Sequence, residues 1–301
     1  MPKRKSGKAA DKPSGAAIKR PVKLPSAWRL TESAARTLWQ HKELFIGITL
    51  VYGLLNLILV QGLASSTDVG SLKSQLSQAA HGHFGSLASG LSIFVVLVGG
   101  SGNSSSQTGG AYQLFLALIA SLAIIWALRQ VLAGASLRVR DAYYRGVYPM
   151  VPFILVLLVI GLQLLPLVIG SLLYGIVTTN GIAIHFVEKL VCALLYALLA
   201  LWSLYMISSS VFALYIVTLP DMTPVKALRS ARELVRHRRW VVLRKVLWLP
   251  VLLFIVAAVI MLPIIIWLTP LVQWIFFLLT MFALAAVHAY MYTLYRELLN
   301  E

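Results

Sequence analysis

Charged side chains are scarce in this sequence. They make up 12% of its 301 residues, where a soluble domain carries roughly 25%, and hydrophobic residues reach 59%. That deficit excludes an ordinary soluble globular domain and places the chain in the membrane class. Cysteine is nearly missing too. The lone Cys192 rules out an intramolecular disulfide and, set in an apolar run, reads as inert packing. Acids are outnumbered, with 10 Asp and Glu against 26 Lys and Arg. None lies at the centre of an apolar run, so no paired carboxylates serve acid–base chemistry and no embedded acid couples transport to protons or sodium. There is no H-E-x-x-H, no G-x-S-x-G and no phosphate-binding loop, since Gly99–Gly102 is not followed by Lys-Ser or Lys-Thr. His81 and His83, with no acid or cysteine nearby, do not make up a zinc donor set. The expectation is a non-enzymatic protein with no cofactor, no metal and no catalytic residues.

What is present is a set of six apolar runs, roughly Leu44–Ala64, Ala111–Gly134, Met150–Val177, Val187–Thr218, Val246–Leu268 and Val272–Tyr295. Each supplies the ~20 residues that cross a bilayer. In lipid every backbone amide must be paired within the segment, so the runs are expected to be helices, giving an all-α integral membrane fold. Pro152, Pro166, Pro250 and Pro263 fall in or near them and are expected to bend them. The first run starts only after a long basic stretch and reads as a retained span rather than a cleaved signal. Residues 1–25 form a basic tail rich in Pro, Gly, Ser and Ala, with too little apolar area to offset chain entropy, and are expected to be disordered. The tail either stays solvated and sets orientation or touches anionic lipid or ribosomal RNA. Residues 26–301 form a single six-span membrane domain, with one long, nearly uncharged outer loop at 65–110. Within that loop Leu91–Val98 is apolar but too short to span.

The placement of charge gives the orientation. Of the Lys and Arg residues, only Lys73 and Lys189 lie in or beside the loops after spans one, three and five. The positive-inside rule then places both termini in the cytoplasm. Trp39, Trp126, Trp240 and Trp248 mark the inner boundary, and Trp267 and Trp274 the outer one. A bacterial plasma membrane is the expected location. The net charge of +16 thus reports membrane topology, and no specific nucleic-acid partner is expected.

The segments before spans one, three and five share a character. Thr223 followed by Pro224 is a helix start, and Val225, Leu228, Ala231 or Arg232, and Val235 form an apolar stripe at helical spacing. Met222–Lys245 therefore reads as an amphipathic surface helix that turns into span five past Arg244 and Lys245. The ten residues from Ala35 to Leu44 align without gaps on those from Ala231 to Trp240, with Ala, Arg, Leu and His identical. Ser136–Tyr148 occupies the same place before span three. The architecture inferred is three units, each a cytoplasmic elbow helix plus a transmembrane hairpin.

Leu219-Pro220-Asp221-Met222-Thr223-Pro224 followed by Ala227-Leu228-Arg229-Ser230-Ala231-Arg232-Glu233-Leu234-Val235 resembles the pattern of stand-alone bacterial membrane-protein families related to the membrane domain of glycerophosphodiester phosphodiesterases. Arg138–Pro152 resembles their middle elbow. The resemblance covers residues 30–298 in architecture and only the elbow before span five in letters. It implies a multi-helix membrane fold. The phosphodiesterase activity of such proteins belongs to a separate catalytic barrel, for which this chain has no residues left, so no enzymatic role is implied.

Two functional classes stay open. The first is an envelope, lipid-organising or partner-binding role, the partners being membrane lipids with anionic headgroups or another membrane protein. The second is a transporter, permease subunit or channel, which an internal repeat favours. Candidate contacts for anionic lipid are Arg229, Arg232, Arg236, Arg238, Arg239, Arg244 and Lys245. His288 is the one ionisable side chain inside a span and reads as a neutral histidine bonded to a neighbouring helix. Ser208–Ser210, with Ala285 and Ala289, are expected to permit close helix packing, and Arg129 to snorkel. The orientation makes a direct prediction. In a background lacking Cys192, Ser104→Cys and Thr179→Cys react with an impermeant thiol reagent in intact cells and Ser230→Cys does not. Labelling at position 230 reverses the topology.

Overall fold

The computed structural model describes residues 25–60, 107–179, 185–236 and 238–299. The disorder expected of the tail up to residue 24 lies outside these residues. So do the readings of His81, His83 and Leu91–Val98 in the outer loop. Every regular element among the described residues is helical. In chain order α1 is Ala27–Gln40, α2 Lys42–Val60, α3 Gln107–Leu132, α4 Val139–Gly146 and α5 Met150–Thr179. Then follow α6 Phe186–Ser210, α7 Ala213–Ile216, α8 Pro224–Val235, α9 Arg239–Trp267 and α10 Val272–Leu299, with a 3₁₀ turn at Thr269–Leu271 before the last. Six helices are long and apolar enough to cross a membrane: α2, α3, α5, α6 continued through α7, α9 and α10. The chain is an all-α, multi-pass membrane protein.

Three boundaries differ from the sequence reading. Residues Gln107–Gly110, read as loop, already form the first turn of α3. The helix of span five starts at Arg239, not beyond Lys245, because no glycine or proline interrupts the stretch before Pro250. The preceding helix ends at Val235, and Arg236 and Arg238 are turn residues. Span four tightens after Ser210. There the Ser208, Ser209 and Ser210 hydroxyls donate back to the carbonyls of Tyr205 and Met206, the local competition with the helical ladder that serines offer. Pro166, Pro250 and Pro263 lie inside continuous helices.

The spans pack in chain order. Helix α2 lies on α3, α5 on α6 and α9 on α10, which makes three hairpins. Adjacent hairpins meet through α3 and α5, α6 and α9, and α10 and α2, so the six spans close into a ring, with α3 also touching α10. Each short helix rests on the hairpin that precedes it around this ring: α4 on α3, α8 on α6 and α7, and α1 on α10. Two polar contacts pin this arrangement. The Tyr143 hydroxyl on α4 donates to the Ile48 carbonyl of α2 at 2.8 Å. Burial pushes this phenol's pKa up, and Tyr52 adds to the shift, so it stays a proton donor at neutral pH. Lys245 Nζ of α9 donates to the Pro25 carbonyl, at the start of α1, at 2.5 Å.

Two of the short helices approach closely because their buried faces carry small residues one turn apart, Ala142 and Gly146 in α4 and Ala227 and Ala231 in α8, while α1 buries Leu30 with Ala34. Ser26 and Thr223 cap α1 and α8 in the same way, each accepting from the backbone N–H three residues on at 3.4 Å. Caps and buried pairs place Ala231 opposite Ala34, one residue out of step with the letter match, which paired it with Ala35; Ala35 is exposed. The turns into α4 and α8 each contain a left-handed residue, Gly134 at φ 81° and Asp221 at φ 60°. Val225, read as part of the apolar stripe, is 68% exposed. The buried face is instead Ala227, Ala231 and Val235, with Leu228 and Leu234 beside it.

Gly146 is the tightest of these contacts with backbone. A Cβ there meets Ala123 Cα at 3.0 Å and the Leu122 carbonyl oxygen at 3.1 Å, neither of which can rotate away. Gly146→Leu is expected to cost about 1–3 kcal/mol of stability by overpacking. Gly161→Ala, where nothing lies within 4 Å, is expected to leave it unchanged or slightly raised. Thermal unfolding in detergent checks both, and equal melting of Gly146→Leu and wild type contradicts the close approach.

Candidate functional site

The basic side chains around α8 separate into two groups. Arg229, Arg232, Arg236 and Arg244 are exposed, while Arg238 and Arg239 are half-buried. The Arg239 guanidinium lies 5.0 Å from the centre of the Tyr205 ring, a cation–π contact with span four. Lys245 departs from the sequence reading. It is 6% exposed, its ammonium bound to Pro25 and its own carbonyl accepting from the Tyr290 hydroxyl at 2.9 Å. It joins α1, α9 and α10 and presents almost no surface. Nothing in the local pattern of bases distinguishes Lys245 from Arg244, because the difference is which face of α9 the start of the chain covers.

A chain of polar contacts, part-buried at Arg129 and fully buried at His288, runs from span two to span six. Arg129, near the end of α3, donates to the Thr218 carbonyl at 2.9 Å and also to the Thr218 hydroxyl. That hydroxyl donates to the Tyr215 carbonyl at 2.8 Å. The Tyr215 phenol is hydrogen-bonded to His288 Nδ1 at 3.1 Å, and its ring packs against Tyr292 and Tyr295. His288 is thus held by a neighbouring helix, as its position predicts. Arg129 differs from the expectation of snorkelling: its guanidinium is tied to a turn of span four. Ser203 likewise crosses between spans, its hydroxyl donating to the Gln163 carbonyl of α5 at 2.6 Å.

Arg129 also lines a cleft of about 620 Å³ at the same end of the bundle, between α3, the junction of α4 with α5, and the turn after α7. Trp126, Arg145, Tyr148, Pro152 and Asp221 line it with Arg129. Sequence reading passes over this cleft because its charged members lie on three separate segments, each of which looks like an ordinary end or turn.

Among the described residues no cluster of His, Cys, Asp and Glu is placed to hold a metal ion, and no carboxylate is among the buried side chains. No protein-family model, curated protein or solved structure matches the chain. The buried His288–Tyr215 pair is a structural link between spans four and six. Tyr215→Phe leaves a buried imidazole nitrogen unpaired and is expected to destabilise by about 1–3 kcal/mol. Adding His288→Leu to Tyr215→Phe is expected to recover part of that loss, since replacing both partners removes the unpaired group. A double mutant melting below the single one contradicts the pairing.

Proposed function

We propose that this chain is a bacterial plasma-membrane protein with both termini in the cytoplasm, acting without catalysis to organise anionic lipid, or a partner docked through it, at the inner membrane surface. The observation that carries the proposal is the exposed arginine face of α8 and the start of α9: Arg229, Arg232, Arg236 and Arg244. The opposite face of α8 is packed into the bundle, so these guanidinium groups stand on a rigid support. Trp28, Trp39, Tyr144, Tyr148 and Trp240, on or beside the short helices, are all exposed, which fits an aromatic belt at the headgroup level. Each basic residue near an anionic leaflet contributes about 1 kcal/mol, falling off within a Debye length. Among the described residues Arg229, Arg232 and Arg236 form no ion pair within 4 Å, with Glu233 the one acid on their helix. In this reading the chain shares its architecture, and not an activity, with the membrane domain of the glycerophosphodiester phosphodiesterase families.

The test separates gripping phosphate from setting orientation. Arg229→Lys, Arg232→Lys and Arg236→Lys keep every charge but remove the planar fork that matches phosphate geometry. Arg239 is left in place because its ring contact confounds the result. If phosphate is gripped, purified triple variant retains less cardiolipin and phosphatidylglycerol than wild type. Equal retention leaves the arginines a topological role only.

A further inference from the structure

We propose that the cleft between α3, the α4–α5 junction and the turn after α7 is a binding site for one phospholipid with an ammonium-bearing, zwitterionic headgroup. The phosphodiester sits on Arg129 and Arg145, and the ammonium on Asp221. The inference rests on the membrane reading above but not on the α8 arginines.

The charge of the cleft sets the ligand's charge. Arg129 spends two donors on Thr218, and a guanidinium has five, so three are left over. Its two partners are neutral oxygens, and its positive charge is uncompensated by them. Arg145, in the last turn of α4, is exposed and joined to no carboxylate within ion-pair distance among the described residues. Asp221 brings the only acid to the lining. Two cations give the lining a net positive charge that favours a phosphate, and the one acid beside them adds a place for a positive group on the same headgroup. The carboxylate accepts hydrogen bonds and donates none, so it suits an ammonium.

Shape and position point to a lipid rather than a soluble phosphate. The volume of about 620 Å³ lies within the roughly 300–1,000 Å³ of small-molecule sites. Leu122, Trp126, Pro152, Leu219 and Met222 supply an apolar wall that a free anion does not need and a glycerol backbone with its first acyl carbons does. The cleft lies beside the last turn of α3 and the first turn of α5, where spans leave the hydrocarbon and headgroups begin. Its parts are positioned. Thr218 orients Arg129, the Gly146 contact with α3 sets Arg145, and the left-handed backbone at Asp221, a conformation aspartate tolerates, turns the chain at its rim.

The full-length protein is reconstituted in nanodiscs of equimolar phosphatidylethanolamine and phosphatidylglycerol, extracted in mild detergent, and its bound lipid measured by mass spectrometry. Wild type is expected to retain phosphatidylethanolamine in preference. Arg145→Ala, a truncation of an exposed side chain, lowers its retention about tenfold, the loss of one charge-assisted hydrogen bond. Asp221→Asn, which keeps the left-handed turn, still retains phospholipid but loses the preference for phosphatidylethanolamine. Millimolar inorganic phosphate does not displace the lipid. The Arg229, Arg232, Arg236 lysine variant keeps its phosphatidylethanolamine even if the α8 proposal fails. Wild-type preference for phosphatidylglycerol, unchanged retention in Arg145→Ala, an unchanged preference in Asp221→Asn, or displacement by phosphate each overturns the site.

Discussion

Close approach between a short helix and the hairpin before it is the contact on which this architecture depends. A helix can lie across the end of a transmembrane pair only where its buried face is shallow. Here that face is made of alanine and glycine one turn apart, Ala142 with Gly146 and Ala227 with Ala231. In a bilayer there is little hydrophobic gain from burying one apolar side chain against another rather than against lipid, so packing of small residues carries much of helix association. The same contacts place α4 and α8 beside spans two and four, and from that follows where the arginines of their outer faces and ends can stand.

Much of this was legible from letters alone. Six apolar runs of sufficient length allow one backbone solution in hydrocarbon, and the Thr223-Pro224 start of α8 follows from capping chemistry. The pairing of His288 with a neighbouring helix follows from the cost of burying a polar ring alone. Faces were harder to read. Val225 was assigned inward and lies outward, because on a helix whose inner face is alanine the largest apolar residue is not the buried one. The register of the repeat differs for a related reason: four identical letters pair Ala231 with Ala35, whereas counting from the N-caps Ser26 and Thr223 pairs it with the buried Ala34.

Charges divide by their partners more than by their position in the chain. Arg129, Arg239 and Lys245 all lie near the ends of spanning helices. Yet one is tied to a turn carbonyl, one rests on a tyrosine ring, and one is buried against the start of α1. A count of positive residues says nothing about which of them are free to meet a ligand. That distinction comes from contacts between segments far apart in sequence, such as Arg129 with Thr218 or Lys245 with Pro25, and no local pattern carries it.

The closure of the ring at α1 and α10 bears on biosynthesis. A chain emerging from the ribosome makes α1 before α9 and α10, yet α1 packs on α10, and the ammonium that holds Pro25 belongs to α9. The two inner units can complete their contacts as soon as each hairpin is inserted. The first short helix waits until the last hairpin enters the membrane, so a ribosome that stalls before α9 leaves its nascent chain with an unsealed edge.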